Sequence, residues 1–219
     1  MKKFSPDSYI TRGALVTALG RMAELDTNKY TTSSFTDIKA GTTYSPYIEW
    51  ACEEGIIKGI SNDKFAPNRP ITREEVALIL QNYANATYYK LPITREMTTY
   101  ADASSISSPY KDAVNAMQQA GIMMGGSNHM FNPKSYTTRA EVSSMLHRFI
   151  KLTIDPATAQ GWEIDDSGQW LYYKEGLMVA NKWLQIDDKW YYFNADGSLA
   201  KSTLVDGYEV DENGMRKDK

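Results

Sequence analysis

Residues 65–76 read Phe65-Ala66-Pro67-Asn68-Arg69-Pro70-Ile71-Thr72-Arg73-Glu74-Glu75-Val76, and this stretch decides the fold. Thr72 with Glu75 three residues later is a capping box, in which hydroxyl and carboxylate satisfy amides that a helix start leaves without partners. Such a cap contributes about 1 kcal/mol. Ile71 precedes the cap and faces Val76, as a hydrophobic staple does. Val76, Leu80 and Tyr83 then fall on one face, so the segment predicts an amphipathic helix opening at Arg73.

The same arrangement occurs twice more at identical internal spacing. Phe4-Ser5-Pro6 leads to Thr11-Arg12, and Phe131-Asn132-Pro133 leads to Thr138-Arg139. The stripes are Leu15, Leu19 and Met22 in the first copy and Val142, Leu146 and Phe149 in the third. Thr138 and Glu141 repeat the capping box, whereas Ala14 replaces the glutamate in the first copy. Ile10 repeats the staple and Thr137 does not.

Upstream of the second and third copies lies a matching half. Phe35-Thr36-Asp37 leads through Tyr44, Ile48, Trp50 and Ala51 to Gly55-Ile56-Ile57-Lys58-Gly59. Tyr100-Ala101-Asp102 leads through Tyr110, Val114 and Met117 to Gly121-Ile122-Met123-Met124-Gly125. Each half reads as a helix stopped by glycine, then a turn. The first copy lacks this half. Ile93-Thr94-Arg95-Glu96 copies the short motif without a Phe-x-Pro lead and reads as a coincidence in a linker.

The combination of aromatic-x-Asp start, Gly-Ile-x-x-Gly turn, Phe-x-Pro loop and Thr-Arg-x-Glu helix start resembles the S-layer homology family. The resemblance spans residues 4–150, fully in the second and third copies and in part in the first. It implies a helical pseudo-threefold bundle whose grooves hold a secondary cell-wall polysaccharide, pyruvylated in that family. It assigns polymer contacts to Arg12, Arg73 and Arg139, with Asp37, Asp102, Trp50, Gly59 and Gly125 as further candidates. The chemistry fits, because a guanidinium pairs in two-point fashion with a carboxylate and a helix N-terminus adds positive potential. The competing structural reading has the arginines bracing the repeat, the aspartates capping turns and Trp50 in the core.

Beyond Asp155-Pro156 the chain changes character. Trp162, Trp170-Leu171-Tyr172-Tyr173 and Gly176 recur as Trp183, Trp190-Tyr191-Tyr192-Phe193 and Gly197, at separations of 21, 20 and 21 residues. Period-two aromatic runs split by turns such as Asn194-Ala195-Asp196-Gly197 predict short hairpins, and hairpins this small bury a face by stacking as a small all-β solenoid. A third, weaker copy has Leu204, Tyr208 and Asn213-Gly214. The segment resembles choline-binding and glucan-binding wall repeats. That resemblance assigns Trp162, Trp170, Tyr172, Trp183, Trp190 and Tyr192 to cages or platforms for choline or sugar, unless they only pack.

The division expected is therefore 1–30, 31–90 and 91–154 for the three helical repeats and 155–219 for the hairpins, α+β overall. Charge is nearly balanced, with 24 basic and 27 acidic residues, so no overall field draws the chain to nucleic acid. Cys52 is the single cysteine, which excludes an internal disulfide or cysteine-based zinc site and reads as a buried structural thiol. No run approaches the roughly 20 apolar residues of a membrane span. Met1–Phe4 opens with two lysines but no apolar run follows, so an export signal is expected to lie outside this chain. His129 and His147 are the only histidines, and neither a nucleophile motif nor a phosphate-cradling loop is present. No catalysis, cofactor or metal is expected. The functional expectation is a non-catalytic extracellular wall anchor of a Gram-positive type. The alternatives are an interaction repeat without ligand and the targeting portion of a wall hydrolase.

Overall fold

The computed structural model describes residues 4–217. Lys2 and Lys3, part of the N-terminal reading, lie outside the described residues, as do the outermost ends of the expected division. Five α-helices precede seven short strands: α1 (Arg12–Met22), α2 (Ser45–Glu53), α3 (Arg73–Ala86), α4 (Lys111–Gln119) and α5 (Arg139–Phe149). The strands are β1 (Gly161–Ile164), β2 (Trp170–Lys174), β3 (Leu177–Met178), β4 (Lys182–Ile186), β5 (Lys189–Phe193), β6 (Thr203–Val205) and β7 (Tyr208–Val210). The fold is mixed α+β with small antiparallel sheets. The chain forms two compact units, residues 1–90, 104–114 and 132–146 in one and residues 91–103, 115–131 and 147–219 in the other.

In the first unit the three helix starts hydrogen-bond to one another in a closed ring. Ile10 N–H donates to Thr137 O at 2.9 Å, Thr137 N–H to Ile71 O at 3.0 Å, and Ile71 N–H to Ile10 O at 3.3 Å. Two residues on, the amides of Arg12, Arg73 and Arg139 donate to the carbonyls of Arg69, Ser135 and Ser8. The next amides, of Gly13, Glu74 and Ala140, reach Pro67, Pro133 and Pro6 in the Phe-x-Pro loops. Each loop therefore supplies acceptors to another copy's helix start, amides that would otherwise have no partner. Side chains add to the caps, although among the described residues the Thr72 hydroxyl is left without a hydrogen-bond partner. Glu75 accepts from Thr72 N–H at 2.9 Å, Glu141 from Thr138 N–H at 2.7 Å, and Thr11 Oγ1 from Ala14 N–H at 3.3 Å.

The striped residues fill the core of this unit. Leu15, Leu19, Val76 and Leu80 are fully buried, and Tyr83 and Val142 nearly so. In α5 the stripe within this unit runs through Val142 and Met145, leaving Leu146 half-buried, as is Met22 at the end of α1; Phe149 is buried in the second unit. Ile93-Thr94-Arg95-Glu96 opens no helix, in keeping with its missing loop.

Both predicted glycine stops form. After α2, Gly55 takes φ +68° and the amides of Ile56 and Ile57 donate back to Ala51 O. After α4, Gly121 takes φ +73° and the amides of Ile122 and Met123 donate to Met117 O. This left-handed residue followed by backward hydrogen bonds is what only glycine adopts at low cost.

In the second unit β1 pairs with β2, placing Trp162 opposite Tyr172, and β4 pairs with β5, placing Trp183 opposite Tyr192. β6 pairs with β7. The tight turn of the second hairpin is Asp187-Asp188 and that of the third is Asp206-Gly207, each with two consecutive positive φ angles. That geometry matches the twist of the flanking strands. The segment Asn194-Ala195-Asp196-Gly197, expected as a turn, closes with Gly197 N–H on Asn194 O and returns the chain to pair Leu199 with Phe193.

Candidate functional site

Arg12 and Arg139 make the same contacts with the phenylalanine of another copy's Phe-x-Pro loop but differ in burial. Arg12 is 5% exposed; its Nε donates to Phe65 O at 2.9 Å, its Nη2 to Lys58 O, and its guanidinium lies 4.5 Å from the Phe65 ring centre. Burial, then the neighbouring Arg69, holds it below the usual guanidinium value. Arg73 is 6% exposed and pairs with Glu141 at 3.3 Å. Arg139 is half-buried, donates Nε to Phe4 O at 2.8 Å and lies 5.2 Å from the Phe4 ring centre.

Arg139 also lines a cavity of about 470 Å³ in the first unit, with Arg21, Thr17, Thr43, Tyr44 and Ser143 around it. Its lining also includes the apolar residues Ile10, Ala14 and Val142. Two guanidinium groups, hydroxyls and an aromatic ring beside apolar residues suit a polar ligand carrying a carboxylate. Arg21 was not singled out from sequence, because it lies near the end of α1, outside the repeated motif.

The other groove candidates lie elsewhere. Asp37 accepts the amides of Phe65 at 2.9 Å and Ala66 at 2.7 Å, and Asp102 accepts the amide of Phe131 at 2.8 Å. Trp50 is 6% exposed and packs edge-on against Tyr83. A side chain at Gly59 would come within 2.7 Å of the Phe35 ring, and one at Gly125, at φ +79°, within 2.7 Å of the Tyr100 ring.

Asp37 links this geometry to pH. Burial is the largest single influence on its carboxyl and raises it, but the amides of Phe65, Ala66 and Asp37 itself, together with Lys64, outweigh burial. The folded carboxyl thus titrates below its ordinary value. Its contribution to stability is present above the ordinary carboxylate range and is lost as pH falls through the lower folded value. Asp37→Asn is expected to flatten the acid limb of the Tm profile between about pH 5 and pH 3. Parallel limbs for the two proteins would contradict it.

In the second unit Trp162, Trp170, Tyr191 and Leu199 surround a cavity of about 330 Å³, with Lys201 and Asn213 also lining it. Trp162 stands perpendicular to Trp170 at 6.0 Å and nearly so to Tyr191 at 5.1 Å. Four of the six expected cage members, Tyr172, Trp183, Trp190 and Tyr192, do not line this cavity. Tyr172 packs on Trp162 and Phe193, and Tyr192 packs on Trp183 and donates its hydroxyl to Asn181. Tyr191, which the sequence reading passed over, takes that place. Trp183 and Trp190 instead meet Tyr208 and Arg216.

Comparison with known families finds a match within each half. The S-layer homology domain matches residues 34–77 and 99–143, and the choline-binding repeat matches residues 177–215. The chain carries S-layer homology repeats followed by a choline-binding repeat.

An amylopullulanase of Thermoanaerobacterium thermosulfurigenes is 31% identical over 68% of this chain, and a surface-layer 125 kDa protein of Lysinibacillus sphaericus is 28% identical over 68%. The aligned stretches are 8% and 12% of those proteins' own lengths. The choline binding domain of a Streptococcus pneumoniae protein is 41% identical over 27% of this chain and 72% of that one, with a TM-score of 0.26. The first copy lies outside the matched S-layer homology residues, yet its Ile10 and Arg12 amides complete the ring.

Within the S-layer homology portion Cys52 is half-buried, less than expected. Burial, then Glu49, pushes its thiol up to about 11. It is protonated at neutral pH and therefore a poor nucleophile.

Proposed function

We propose that this chain is a non-catalytic cell-surface anchor that holds a secondary cell-wall polysaccharide in its S-layer homology portion. The observation that carries the proposal is the cavity at Arg139, where a second arginine and several hydroxyls face the same space. A pyruvate ketal on the polymer offers a carboxylate to the guanidinium pair, and sugar faces stack on Tyr44. In this reading residues 1–30, 31–90 and 91–154 belong to three repeats of a pseudo-threefold bundle. Residues 155–219 form a hairpin solenoid whose Trp162–Trp170–Tyr191 cavity takes a quaternary ammonium such as choline, or a sugar. Weak contacts at two modules on one chain add through effective concentration. The surface-layer relative supports the location, outside the cell at the wall.

A ligand-free interaction repeat is the competing reading, favoured by the burial of Arg12 and Arg73 against protein partners. Titration of a pyruvylated wall saccharide by calorimetry separates the two. Saturable heat at about one equivalent supports anchoring, and no heat at millimolar saccharide supports the ligand-free repeat.

A further inference from the structure

The tail contains two equivalent aromatic cages, and the second already holds a cation belonging to the chain. Trp162, Trp170 and Tyr191 frame the first. By strand register Trp183, Trp190 and Tyr208 are their counterparts, since Trp162 and Trp183 are the second residues of β1 and β4, opposite Tyr172 and Tyr192, and Leu184 and Val205 face Tyr191 and Tyr208. The ring geometry repeats: Trp162 to Tyr191 and Trp183 to Tyr208 both meet at 78°.

The fourth wall differs. After each hairpin a turn closes on glycine, with Gly197 N–H on Asn194 O and Gly214 N–H on Asp211 O. Two residues past that glycine stand Leu199 in one copy and Arg216 in the other. Their amides make equivalent hydrogen bonds, Leu199 N–H to Trp170 O and Arg216 N–H to Trp190 O, both 2.8 Å. One position therefore presents an aliphatic wall to the first cage and a guanidinium to the second. The Arg216 guanidinium lies 4.7 Å from the Tyr208 ring centre, 5.4 Å from Trp190 and 6.0 Å from Trp183. All three are within the range of cation attraction to an aromatic face. Asp206 accepts Trp183 Nε1–H at 2.9 Å and fixes that ring. Among the described residues no carboxylate lies within salt-bridge distance of Arg216, so the aromatic faces are its partners.

We propose that Arg216 is a built-in occupant that closes the second cage to external quaternary ammonium ligands, leaving the first cage as the open site. The proposal rests on reading these aromatic clusters as cation cages. Choline chloride is the probe, titrated into the full chain by calorimetry. Arg216→Leu, which copies the wall of the first cage, is expected to bind one more equivalent than wild type, with affinity within about tenfold of the open site. Leu199→Arg is expected to fill the first cage and weaken its binding at least tenfold. Adding Trp170→Ala to Arg216→Leu assigns the gained equivalent to the second cage if that equivalent persists.

An Arg216→Leu protein that binds the same number of equivalents as wild type overturns the proposal. Should that variant fail to fold, as judged by near-UV circular dichroism, Leu199→Arg decides it, and unchanged choline binding overturns it. Failure of the open-cage reading is distinct: wild type then binds no choline, while Arg216→Leu still gains its equivalent if the plug is real.

Discussion

Phe65→Ala is expected to cost about 4 kcal/mol of stability, the usual magnitude for a buried aromatic truncated to alanine. Phe65 is completely buried and packs against Phe35 at 5.5 Å between ring centres. Its ring lies under the Arg12 guanidinium, its carbonyl accepts Arg12 Nε, and its amide is held by Asp37. Truncation opens a cavity and removes the aromatic face from a guanidinium that is itself buried, so transfer, cavity and cation terms act in one direction. The same motif position in the first copy provides the control. Phe4 is 52% exposed, and Phe4→Ala is expected to cost under about 1 kcal/mol. Urea unfolding measures both, and equal costs would show that the motif rather than the burial sets the effect.

Arg139→Ala is expected to weaken binding of a pyruvylated wall saccharide by at least about tenfold while changing stability little. A hydrogen bond to a charged group contributes about 1.5–3 kcal/mol, equivalent to roughly 10–150-fold in affinity. Arg139 holds Phe4 O with Nε and lines the cavity. Arg12→Ala is expected to behave in the opposite way, losing stability because it leaves the carbonyls of Phe65 and Lys58 without their donor inside the fold. Arg139→Lys retains charge but loses two-point pairing and should fall between wild type and alanine. Calorimetry with parallel melting curves separates these outcomes, and an unchanged Kd for Arg139→Ala removes this arginine from the site.

The sequence disclosed whatever depends on local chemistry. Capping boxes, glycine stops and Phe-x-Pro loops are short-range devices, and helix starts stand where Thr11, Thr72 and Thr138 mark them. The copy at Ile93-Thr94-Arg95-Glu96 shows the limit of the short motif, because without a loop and a partner's carbonyls it opens no helix. What lay beyond the sequence depends on which copy neighbours which. Identical spacing gave Arg12, Arg73 and Arg139 the same prospects, whereas burial beneath another copy's loop distinguishes them. In the hairpins a run of aromatics alternates between faces, so the choice of Tyr191 over Tyr172 and Tyr192 required register and the position of the next hairpin. Arg216 carried no signal until its alignment with Leu199 was visible in the hydrogen bonds.

Cosedimentation of the purified chain with wall sacculi, before and after extraction of the secondary polysaccharide, tests anchoring most directly. The chain is expected to pellet saturably with intact sacculi and to stay in the supernatant once the polysaccharide is removed, with millimolar choline present throughout to occupy the hairpin cage. Equal pelleting with both preparations, or none with either, would contradict polysaccharide anchoring by the S-layer homology repeats.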